Sequence, residues 1–129
     1  MHRLVPVLAL VSGLAACGPE DTDDLCDREV PLTYQSWGQG FVHTHCNGCH
    51  SSIIAEGQRR GAPLGVDFDT YGGVLQWVER IEDRTIIAGQ EERAQMPPGG
   101  GPTAEELQML HEWIQCSVYP DKQEWGGPE

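Results

Sequence analysis

Basic side chains are scarce in this chain of 129 residues: 8 Lys and Arg stand against 20 Asp and Glu, for a formal net charge of -12. That shortage argues against a nucleic-acid partner, since phosphates demand a basic face. Long apolar runs are missing too. The stretch from Leu4 to Ala16 falls short of the roughly 20 residues that a membrane-spanning helix needs. Residues 1–16 also hold 11 of the hydrophobic residues; without them, 7 basic and 20 acidic side chains remain, a charge of -13. The core left to the rest is thin, and a disulfide, a metal or a large prosthetic group would reinforce it. No internal repeat is present, and the length suits one domain.

What is present begins with an address. His2 and Arg3 precede the apolar run Leu4 to Val11, followed by Ser12, Gly13 and the small residues before Cys17. This is the order of a secretory signal over 1–16. Leu14-Ala15-Ala16-Cys17 resembles the lipobox of bacterial lipoproteins, which implies a lipid on Cys17 that anchors the chain in a bilayer; an ordinary signal peptide with a chance cysteine is the alternative. Residues 17–31 then read as an acidic tether, with almost nothing to bury between Gly18 and Leu25. Gly18 after Cys17 leans, by analogy with lipoprotein sorting, toward the outer membrane. The expected location is therefore the periplasmic face of the cell envelope.

The five cysteines divide by context. Cys46-Asn47-Gly48-Cys49-His50 is the C-x-x-C-H pattern for attachment of a c-type haem. Two thiols three residues apart can each form a thioether to a haem vinyl group while the next imidazole reaches the iron. Zinc is a rival use of the cluster with His43 or His45, but a closed zinc site draws a second ligand pair from a distant segment, and none exists here. A dithiol exchange centre would follow a buried strand, which this chain does not show. Cys26 and Cys116 are left over, and in an oxidising compartment they should pair, closing a loop of about 90 residues worth about 4 kcal/mol in the chain-entropy model. Two separate free thiols are the alternative.

Leu32, Trp37, Phe41 and Val42 suggest a short helix into the haem motif, which Gly38 and Gly40 weaken. Residues 51–69 read as a loop whose Leu64 to Phe68 lies against something apolar. Thr70 caps a helix to about Arg84, with Tyr71, Val74, Leu75, Val78 and Ile81 on one face. Thr85 to Pro102 is loop. Thr103 and Glu106 form a capping box for a last helix with Leu107, Leu110 and Ile114, ending near Cys116. The haem domain thus spans 32–118, and Pro120, Gly126, Gly127 and Pro128 predict a flexible tail over 119–129.

Over about 33 to 118, the haem motif, Leu64 to Tyr71, Met96-Pro97-Pro98 and the stretch Thr103 to Cys116 resemble small class I cytochromes c, and more closely the cytochrome c-like domains of bacterial lipoproteins. The resemblance implies an all-α fold of about three helices around one covalently bound haem. It implies iron held by His50 and by the loop methionine, Met96; Met109, His43, His45, His111 or an open position are rivals. It also implies one-electron transfer. The acidic surface would steer the protein toward a redox partner with a basic docking patch. With an open distal position the alternative is a haem-based sensor or a peroxidase-like domain, with Arg93 and the stray histidines as its only acid-base candidates. Without haem it is a structural lipoprotein. A carrier is favoured over an enzyme.

Overall fold

The computed structural model describes residues 25–86, 96–98 and 101–127. The signal segment, Cys17, the tether up to residue 24 and Arg93 lie outside the described residues. Among those described, regular structure is helical and no strand occurs, which agrees with the all-α expectation.

The chain enters its first helix through a reciprocal cap. The Ser36 amide donates to the Thr33 hydroxyl at 3.0 Å, and the Thr33 amide donates to the Ser36 hydroxyl at 2.9 Å. The first turn, Tyr34–Gly38, is π-helical, with the Gly38 amide reaching back to the Thr33 carbonyl at 3.0 Å; α1 continues as Gln39–His45. A second helix, α2, spans Tyr71–Thr85 and is capped by the Thr70 hydroxyl on the Gly73 amide at 3.2 Å. The capping box opens α3 (Ala104–Trp113), with Thr103 N–H on Glu106 Oε2 at 2.7 Å and Glu106 N–H on Thr103 Oγ1 at 3.2 Å.

These helices bury the faces that their periodicity marks. Val74, Leu75, Val78 and Ile81 of α2 meet Leu110, Trp113, Ile114 and Val118, with Phe41, Val42 and Phe68 completing the cluster. Each such large side chain, fully buried, contributes about 1.5–3 kcal/mol. Aromatic rings surround Trp113: Tyr34 and Tyr71 stack at 4.7 Å between centroids, and Trp37 meets Trp113 edge-on at 5.9 Å. Gly38 is what lets the first and last helices approach. A Cβ built there would lie 2.2 Å from Trp113 Cζ2. The glycine read from sequence as a weakness is therefore the crossing point. Gly73 serves α2 likewise, since a Cβ there would lie 2.3 Å from the Asp67 carbonyl oxygen.

Two boundaries differ from expectation. The last helix does not stop near Cys116: it passes through a π-helical segment, Ile114–Val118, into α4, Tyr119–Glu124. Residues 119–125 are thus no flexible tail. Pro120 stands in the first turn of α4, directly after the π-helical segment. Asp121 accepts the Tyr71 hydroxyl at 2.6 Å, Lys122 pairs with Glu79 at 2.7 Å, and Trp125 packs on the core. The end of the tether is likewise fastened. Cys26 is disulfide-bonded to Cys116, with Cα atoms 5.5 Å apart, and Arg28 forks onto Glu112 at 2.5 and 2.8 Å.

Gly38→Ala is expected to cost about 1–3 kcal/mol by overpacking. Gly40→Ala, where an added Cβ meets nothing within 4 Å, should instead gain up to about 1 kcal/mol of helix propensity. Urea unfolding midpoints of the two variants measure the contrast.

Candidate functional site

The C-x-x-C-H motif closes α1. The Cys46 amide still donates to the Val42 carbonyl at 2.9 Å, and the Cys49 and His50 amides both turn back to the Cys46 carbonyl, at 3.1 and 3.0 Å. His50 is then fixed from three directions by the following loop. Its Nδ1 lies 2.9 Å from the Val66 carbonyl oxygen, its ring stacks on Phe68 at 4.7 Å, and its own carbonyl accepts the Phe68 amide at 2.9 Å. A carbonyl only accepts, so Nδ1 carries a proton, and in the neutral tautomer this leaves the lone pair on Nε2.

Cys46, Cys49 and His50 line a cavity of about 790 Å³, and so does Met96, nearly fifty residues later in the chain. The Met96 amide donates to the Arg84 carbonyl at 3.3 Å, which ties that loop to the end of α2; the residue is 36% exposed. Phe41, Phe68, Trp77 and Ile81 provide apolar wall, as does Leu64, so part of the predicted greasy loop faces this space. The volume is that of a cofactor or small-molecule site.

The electrostatics run against the rest of the molecule. Arg59, Arg60, Arg80 and Arg84 line the cavity, four of the eight basic residues of the chain, and among the described residues no Asp or Glu does. The sequence reading missed all four. In sequence nothing set them apart: 59–84 holds these four arginines beside five acidic residues.

Other candidates stand elsewhere. His43 is exposed, Met109 lies half-buried on α3, and neither lines the cavity. His111 lies 3.9 Å from Glu82, also away from it. His45 does line the cavity, but its Nε2 is held by Glu106 Oε1 at 3.3 Å. Among the described residues no three His, Cys, Asp or Glu side chains converge as a cation site, which is the donor set a closed zinc centre requires. Burial pushes the Cys46 thiol up to about 12, the opposite of the depressed value that drives dithiol exchange.

The arrangement offers two thiols for covalent attachment, an imidazole nitrogen, a thioether, apolar walls and cationic groups. It suits a large apolar molecule that carries acid groups. Behind it, Asp69 stitches the start of the loop: hydrogen bonds from the Ser51 hydroxyl and then from the Ser52 amide, the latter 2.7 Å long, hold its carboxyl below the usual range. A depressed carboxyl stabilises the fold above its unfolded pKa of about 3.9, and that contribution disappears as pH falls through the folded value. Asp69→Asn should therefore lower the urea midpoint at pH 7, with the gap to the parent protein closing below about pH 4. Comparison with protein-family models, curated proteins and solved structures finds no match to this chain.

Proposed function

We propose that this chain is an exported, lipid-anchored, monohaem c-type cytochrome that carries single electrons. One observation carries the reading: Cys46, Cys49, His50 and Met96, chosen from sequence for this chemistry, line one apolar cavity with four arginines and, among the described residues, no acid. The residues fit the group. Both thiols can form thioethers, His50 keeps Nε2 for the iron because Nδ1 is spent on Val66, and Arg60, Arg80 and Arg84 suit carboxylates on an apolar ring.

Haem supplies a ferric–ferrous couple, which imidazole and thioether ligation bias toward the ferrous state. The chain does the rest. Val66 and Phe68 fix the His50 ring, the tie from Met96 to Arg84 positions the sulfur loop, and the apolar walls exclude water. Negative charge over the remaining surface draws a partner with a basic docking patch. Cys17, as the acylated first residue, would hold the domain at the periplasmic side of a membrane.

The protein matured in cells that attach haem should retain a haem-stained band on a denaturing gel; its absence would overturn the reading. Met96→Ala should keep that band yet let carbon monoxide bind the ferrous form rapidly. If carbon monoxide already binds the parent protein as fast, the distal position is open and the sensor reading gains. Separately, Cys17→Ala should move the protein from the membrane pellet to the supernatant after cell fractionation.

A further inference from the structure

We propose that Arg59 sets the electron-donating strength of His50 through a carbonyl that the two share, a role that rests on the haem reading above. Arg59 is 1% exposed, the most deeply buried charged residue among those described. Its Nε donates to the Ala62 carbonyl at 3.2 Å and its Nη1 to the Ser51 carbonyl at 2.6 Å. Its Nη2 reaches the Pro63 carbonyl at 2.8 Å, the Val66 carbonyl at 3.1 Å and Asp67 Oδ1 at 2.6 Å. Four carbonyls and one carboxylate thus compensate a cation whose burial is otherwise costly, and the cation in turn satisfies carbonyls that an apolar side chain would leave without this donor. Besides holding the loop, the guanidinium has room for a chemical role.

Val66 gives one. Its carbonyl oxygen has two lone pairs and two donors, Arg59 Nη2 and His50 Nδ1. Electron density drawn toward a guanidinium is withheld from the imidazole N–H. The His50 hydrogen bond is thereby weakened and its ring keeps less anionic character. Partners on the far nitrogen of a ligating histidine raise its basicity, so dampening that bond makes Nε2 a poorer donor and favours the reduced metal. Asp67, on the same guanidinium, offsets its bare charge, which leaves the shared carbonyl as the main channel. Arg59 is in this sense a positioning residue, acting on iron only through His50.

The test uses the haem-loaded full chain. Arg59→Gln should shift the ferric–ferrous equilibrium about tenfold toward ferric, a fall of about 59 mV for one electron, and should move the His50 Nδ1–H proton resonance of the ferrous protein downfield. Asp67→Asn leaves the fork on Val66 in place and should leave that resonance where it was. A purely structural Arg59 would lower the unfolding midpoint while resonance and potential stayed put, and that result would overturn the proposal. So would a resonance shift of similar size and opposite sign in Asp67→Asn, which would make loop charge the cause. Should Arg59→Gln fail to mature, Arg59→Lys, which keeps the charge without the planar fork, should show the same directions at smaller size; an unchanged resonance in it counts against the proposal. A parent protein without a haem-stained band overturns the haem reading itself, a result distinct from any of these.

Discussion

An indole on a bare stretch of backbone fixes the geometry of this protein. Trp113 lies where a side chain on residue 38 would otherwise stand, so the first and last helices close to a distance that only glycine permits. Tyr34, Trp37 and Tyr71 gather around the same indole. With the outer helices locked, α2 has one place to bury Val74, Leu75 and Val78. The small apolar inventory is consumed on that side, and the remaining apolar surface of Phe41, Phe68, Trp77 and Ile81 faces the cavity. Native interiors are otherwise close-packed, with few voids larger than a water molecule, so an apolar wall of this size has the dimensions of a small-molecule site.

The loop that forms the other wall is organised by polar contacts. Residues 51–69 contain little that can nucleate structure, and they are held by one guanidinium at their centre, by Asp69 on Ser52 and by the Gly73 cleft that receives the Asp67 carbonyl. The arrangement gives His50 a rigid seat. Val66 and Phe68, which touch its ring, follow Arg59 closely in sequence and share its hydrogen-bond network. Histidine orientation and loop integrity are consequently one property.

Sequence reading recovered what local chemistry dictates. Thr70, Thr103 and Glu106 cap where capping rules place them, and the apolar face of α2 is the buried one. Cys26 and Cys116 pair, as expected for an oxidising compartment. What escaped is set by distant partners. Gly38 is unfavourable by helix propensity, and only Trp113, 75 residues away, explains it. Pro120 suggests an end to helix, yet it sits at the start of a new turn whose value comes from Tyr71 and Glu79 on α2. Arg59 could not be singled out from the other arginines because most of its partners are backbone carbonyls, which every residue supplies.

The bridge between Cys26 and Cys116 also decides how mechanical load enters the molecule. A pull on the chain from before residue 26 reaches sulfur first and passes straight into the terminal helix; Arg28 on Glu112 takes up what continues along the backbone. The covalent ring closes behind the point of traction. Load that crosses the bridge bypasses the chain between residues 26 and 116, the turn bearing Cys46, Cys49 and His50 included.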